Sequence, residues 1–193
     1  MSAVATRRRD LRLEWTVAGG VIAMATRIAV GGASISVSWP GALAFASILA
    51  ITVWWNGGTP VLLSARSIPL GIAGAAVLVG LAWLHRGYGP LHVAAANPSL
   101  LTWTAVILVI AGAEEMFFRG TLFDLVEGRR GLVSAVVVTS VAFGLIHVPV
   151  YGWRAVPLDV AAGVWLAGIR SMGGMPAAIT AHVLADLAVG WLI

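Results

Sequence analysis

Apolar stretches of membrane-crossing length, interrupted by very few charges, limit what this chain can fold into. They run at about 15–36, 40–55, 67–84, 99–123, 131–149, 156–170 and 175–193, and ~20 apolar residues span a bilayer as a helix. Charged residues make up only 10% of the 193-residue chain, against ~25% in soluble domains, so a soluble globular fold is excluded. The short alternating strands of a transmembrane barrel are absent. In hydrocarbon every backbone N–H and C=O must be satisfied internally, which leaves helices. The expected fold is an all-α membrane protein, a polytopic bundle of about seven transmembrane helices.

Arginine placement orients the bundle. The chain has no cysteine, so disulfides and thiolate nucleophiles are excluded. Arg7, Arg8, Arg9, Arg12, Arg66, Arg129, Arg130 and Arg170 fall on one side of the expected spans, Arg86 and Arg154 on the other. The positive-inside rule puts the first set, and the N-terminus, in the cytoplasm. The basic start is thus a membrane anchor and not a nucleic-acid patch. Arg27 lies within the first span, where it implies a break or an inward-facing charge. Tyr88–Pro98 is a weaker segment that reads as an interfacial helix, and His85 and His92 read as interfacial side chains.

Carboxylates and histidines inside the apolar stretches carry the functional signal, because ionisable groups at membrane depth are expensive. In Glu114-Glu115-Met116-Phe117-Phe118-Arg119, Glu115 and Arg119 are four apart and can pair on one helix face. Glu114, about 100° around the helix, has no such partner, which suits a general base acting on water. In the next stretch His147 follows Phe143 by four residues. Residues 114 and 147 are symmetric about Gly128-Arg129-Arg130-Gly131, which reads as a tight turn. An antiparallel hairpin folded there brings Glu114 and His147 to one depth. In the last stretch His182 and Asp186 are four apart and point the same way. His182 lies roughly 12 Å above the Gly173-Gly174 turn and Glu114 about 24 Å above its own. The two depths match if the 122–138 hairpin projects into the cytoplasm by about two turns.

Glu-Glu-x-x-x-Arg, then Phe-x-x-x-His, then His-x-x-x-Asp, on successive membrane segments, resembles the CAAX protease and bacteriocin-processing (CPBP or Abi) family of intramembrane proteases, which includes the type II CAAX prenyl endopeptidase. The resemblance covers about residues 99–193, half the chain. It implies a basic cytoplasmic N-terminus over 1–14, N-terminal membrane helices over 15–98 and a catalytic membrane core over 99–193. It further implies an endopeptidase of the cytoplasmic membrane acting on a peptide or membrane-protein substrate near the cytoplasmic face, with the lipid bilayer as its surroundings and no nucleic-acid partner. Glu114 would activate water with help from His147, and Glu115 and Arg119 would support the site. His182 and Asp186 would stabilise the oxyanion or complete a metal site. The eukaryotic form has Asn at the last position. An ionised Asp186 cannot donate to an oxyanion, so it would orient His182, contact metal or stay protonated. The family is called metalloprotease. Zinc held by Glu114, His147 and His182, zinc held by His147, His182 and Asp186, and a metal-free glutamate-activated water all suit these residue types.

Other readings have weaker support. Ser134, Ser140 and Ser171 lack the surroundings of a serine nucleophile, and Asp159 and Asp186 lack those of an aspartyl intramembrane protease. A non-catalytic immunity or scaffold protein of the same fold is the runner-up, followed by a small metal or proton-coupled transporter. The glycine-rich stretches Gly19-Gly20 and Gly71–Gly80 read as helix-packing surfaces.

Overall fold

The computed structural model describes residues 3–34, 38–58, 60–85 and 100–192. All regular structure among them is helical. α1 spans Ala3–Gly31, α2 Trp39–Trp55, α3 Ser67–His85 and α4 Leu100–Glu115. A π-helical turn, Met116–Leu122, joins α4 to α5, Phe123–Arg130. α6 is Leu132–Ile146, α7 Val148–Tyr151 and α8 Val156–Leu192. The expected interfacial segment Tyr88–Pro98, with Arg86 and His92, lies outside the described residues, as does the side chain of His85.

Each apolar stretch read from the sequence is helical. Among the described residues, four helical segments can cross a membrane by length and composition: Arg12–Gly31, Ser67–Leu84, Leu132–Tyr151 and Trp153–Val189. α2 is apolar but has only 17 residues, and α4 has 16 before the π turn. The all-helical expectation therefore holds, whereas only four segments among the described residues reach span length, so the count of seven is not established. α1 is unbroken through Arg27, whose side chain is buried, its guanidinium 5.3 Å from the ring centre of Phe45. Of the two expectations for Arg27, the inward-facing charge holds.

Two glycines with positive φ turn the chain between helices. Gly131, at φ 78°, separates α5 from α6, where the sequence placed a hairpin turn. Gly174, at φ 74° and ψ −177°, breaks α8. Both halves of α8 then lie against α3. Trp165, before the break, donates from Nε1 to the Gly74 carbonyl at 3.1 Å, and Ser67 donates to the carbonyl of Gly173 at 2.8 Å. A Cβ on Gly71 would lie 2.5 Å from Thr180, after the break, and one on Gly74 would meet both Ile169 and Ala181. Helices in lipid gain no hydrophobic energy from each other, so close backbone approach through small residues holds them.

The main core joins both halves of the chain. Ala23 and Met24 of α1 and Phe45 and Leu49 of α2 pack with Phe117, Phe118, Leu122, Phe123, Val126 and Phe143. The 122–138 hairpin packs on that core through Phe123 and Val126, which are buried, while Asp124, Glu127, Gly128 and Arg130 are exposed. α5 stays with the bundle because its apolar face has a core to enter.

Glycine contacts give a paired test. A Cβ on Gly163 would lie 2.8 Å from the Cα of Ser140 on α6, whereas one on Gly168 meets nothing within 4 Å. Gly163→Ala should therefore cost ~1–3 kcal/mol through overpacking. Gly168→Ala should gain ~0.5–1 kcal/mol by removing a helix-interior glycine. Thermal melting in detergent should rank Gly168→Ala above wild type and wild type above Gly163→Ala.

Candidate active site

Glu115, the last residue of α4, is fully buried, as is Arg119 in the π turn. Arg119 donates from Nη1 to Oε1 of Glu115 at 3.0 Å, the pairing expected from their spacing. The same oxygen accepts from Nδ1 of His182 at 2.8 Å. The guanidinium lies over the ring of Phe143, 4.1 Å from its centre, and 5.9 Å from that of Phe118. Cation–π contact in a desolvated setting contributes ~2 kcal/mol or more. It matters here because Nε and Nη2 of Arg119 and Oε2 of Glu115 have no hydrogen-bond partner.

Glu114 is buried too and faces away from Arg119. Its two oxygens address two histidines: Oε1 lies 3.7 Å from Nε2 of His147, and Oε2 lies 3.8 Å from Nε2 of His182. Glu114 is thus not left without partners. The rotation of about 100° that takes it off the Arg119 face turns it toward α6 and the second half of α8. His147 donates from Nδ1 to the Phe143 carbonyl at 2.8 Å, which fixes its ring with Nε2 toward Glu114. Nε2 of His182 is also 3.5 Å from Oδ2 of Asp186, whose side chain is 40% exposed. All six residues singled out in the sequence (Glu114, Glu115, Arg119, His147, His182 and Asp186) therefore come together.

Three further side chains complete the surroundings. Phe143 meets both histidines edge-on, with ring centres 4.7 Å from His147 and 5.5 Å from His182. Tyr151, one turn after His147, stacks on it at 5.7 Å and 21°. Asp159, at the start of α8, places Oδ2 3.9 Å from Nδ1 of His147. Phe143 was visible in the sequence as part of the Phe-x-x-x-His motif. Nothing in the local pattern pointed to Tyr151 or Asp159, which reach the site by the fold of α7 and α8.

Nε2 of each histidine faces a different oxygen of Glu114, while Nδ1 of His147 meets the Phe143 carbonyl and Nδ1 of His182 meets Glu115. Among the described residues no three His, Asp or Glu side chains form a group that could hold a metal ion. What they offer is a buried carboxylate, two imidazoles aimed at it, and an ion pair joined to it through His182.

Residues 95–188 match one protein family, described as Type II CAAX prenyl endopeptidase Rce1-like. The match contains all six site residues and agrees with the resemblance read from the motifs. No curated protein and no solved structure matches the chain. Span-length apolar helices together with an endopeptidase family make this a multi-pass membrane protein of a peptide-hydrolase family.

The buried ion pair is testable without a substrate. Arg119→Ala leaves Glu115 charged and buried beside His182 alone, which should cost ~3–5 kcal/mol. Adding Glu115→Ala should recover part of that loss, since contacting residues are non-additive. A double-mutant cycle on detergent melting temperatures measures it; additive losses would mean the pair is not coupled.

Proposed function

We propose, from the premise that this chain belongs through residues 95–188 to the Rce1-like family of CAAX endopeptidases, that it is an intramembrane endopeptidase whose attacking water is activated by Glu114. The observation that supports this reading is the split between the two glutamates. Glu115 is committed to Arg119 and His182, while both oxygens of Glu114 stand 3.7 Å and 3.8 Å from imidazole nitrogens. Such gaps are long for direct hydrogen bonds and suit a bridging water.

In the proposed reaction a water lies between Glu114 and Nε2 of His147. Nδ1 of His147 donates to a carbonyl, so Nε2 of the neutral ring can accept from the water. Glu114 takes a proton as the water oxygen attacks the scissile carbonyl carbon. The oxyanion that forms lies near His182. Both nitrogens of His182 face carboxylates, which only accept, so the doubly protonated ring satisfies both sides and presents a cation to the oxyanion. Collapse breaks the C–N bond, and the proton held by Glu114 passes to the leaving amine. Asp186 acts at Nε2 of His182, holding its ring and charge. Asp159 and Tyr151 position His147 from the opposite side.

For placement we propose seven crossings with the N-terminus in the cytoplasm. The ends of the helices that carry Arg12, Arg129 and Arg170 come together, with Arg170 paired to Asp124, and the positive-inside rule puts that end inside. Glu114 is seven residues from Thr121, so the scissile bond would lie roughly 10 Å farther into the membrane than that end of the π turn.

Glu114→Gln keeps the volume and removes the base. Cleavage should fall at least ~100-fold, with the melting temperature nearly unchanged. Comparing membrane peptides from cells carrying wild type and Glu114→Gln would identify substrates that accumulate uncut. Full cleavage by the variant would reject Glu114 as the base. Chelation is the companion measurement. Purified protein stripped with a chelator should keep its Glu114-dependent cleavage; loss restored by zinc would replace this mechanism with a metal-centred one.

A further inference from the structure

Arg27 of α1 is a buried cation that the proposed mechanism does not use. It is 6% exposed, and an arginine cannot shed its charge by losing a proton. Its Nε has no hydrogen-bond partner. Among the described residues its guanidinium meets the ring of Phe45, 5.3 Å from the centre, and no carboxylate pairs with it. A ring face offsets only part of the cost of burying a charge. Arg119, buried as well, has both a ring and a carboxylate. Arg27 has the ring without the anion.

The packing of α1 brings this charge to the depth of Glu114. A Cβ on Gly20 would lie 3.0 Å from the ring of Phe117, so α1 crosses the π turn there. Arg27 is seven residues beyond Gly20, and Glu114 is three residues before Phe117. Arg12 and Thr121 line one cleft at the arginine-rich end, so both steps lead away from that end. The backbone of Arg27 is then roughly 6 Å farther from it than that of Glu114. Side chains on a helix lean toward its N-terminus, which carries the guanidinium back toward the level of Glu114. Phe45, on which it rests, packs in the same core as Phe117, Phe143 and Ala113, the residue before Glu114.

We infer that Arg27 is a specificity residue that binds a carboxylate of the peptide substrate, either the chain-terminal group or an Asp or Glu side chain near the cleaved bond. The inference rests on the peptidase reading above. A guanidinium fork matches a carboxylate with two parallel N–H···O bonds, and an unmodified peptide offers these carboxylates as its anions at neutral pH. Peptide binding supplies the partner that the fold does not. The chain is then held at one charged point while Glu114 acts on a nearby carbonyl.

The test measures binding without cleavage, so it stands apart from the role of Glu114 as base. The full chain carrying Glu114→Gln is titrated in detergent with three synthetic probes, and dissociation constants are read by calorimetry. The first is acetyl-Ala-Val-Leu-Leu with a free carboxylate, the second its carboxamide, and the third acetyl-Ala-Val-Glu-Leu carboxamide. At least one acid peptide should bind about tenfold more tightly than the neutral carboxamide, the worth of one charge-assisted hydrogen bond. Preference for the first probe assigns the chain end as the source, and preference for the third assigns an acidic side chain. Adding Arg27→Gln should abolish the preference and leave binding of the neutral carboxamide unchanged. Arg27→Lys, which keeps the charge and loses the fork, should retain part of it. Arg130→Gln, at an exposed arginine, should keep all of it. Melting without peptide shows which variants fold; should Arg27→Gln fail to fold, a reduced preference in Arg27→Lys carries the test. Failure of both acid peptides to outbind the neutral one would overturn the inference. So would a preference that survives Arg27→Gln, or one lost equally in Arg130→Gln.

Discussion

The carboxylate of Glu115 is the interaction on which the site rests. One of its oxygens joins Arg119 from the π turn and His182 from the second half of α8, so two segments far apart in sequence meet at one buried atom. A charge so placed is tolerable only if its neighbours are charged and well oriented, because desolvation penalises each ion by several kcal/mol. Breaking either link leaves a bare charge in a region that lipid surrounds. That asymmetry makes the network a strong determinant of local geometry even where its net stabilisation is small. It also fixes one ring nitrogen of His182, and so directs the other toward Glu114.

Phe143 does for the opposite wall what Glu115 does for this one. Its carbonyl accepts a hydrogen bond from Nδ1 of His147, its ring edge meets both imidazoles, and its face receives the Arg119 guanidinium. Such contacts need α6 and α8 in close register. Gly144 lies against Val160 and Gly163 against Ser140 so tightly that a Cβ at either would approach within 3 Å. Small residues permit the approach, and the approach lets short side chains such as Glu114 reach across helices.

Much of this was legible in the sequence because membrane depth makes charge conspicuous. Seven apolar stretches became helices, the Gly131 and Gly174 turns fell where glycine suggested them, and the symmetry of residues 114 and 147 about the first turn brought Glu114 and His147 together. Spacing could not show tertiary consequences. The packing of Phe123 and Val126 that keeps α5 with the bundle depends on a core partly built from α1 and α2. The π turn leaves no trace in hydrophobic periodicity. Asp159 and Tyr151 reach His147 through turns whose geometry the local pattern does not encode.

The adjacent pair of glutamates follows from the same physics. Consecutive residues on a helix diverge by about 100°, so two neighbouring carboxylates cannot serve the same partner. One can be tied down while the other stays available. Glu115 faces Arg119, whose planar cation can pair with a carboxylate and lie on an aromatic ring at once; an ammonium would do each less well. Glu114 faces the gap between His147 and His182, where neither contact closes to hydrogen-bond length. A structural carboxylate would be expected to close such gaps, as Glu115 does. Glu115 closes its contacts to Arg119 and His182 through one oxygen, while Glu114 stays open toward both histidines.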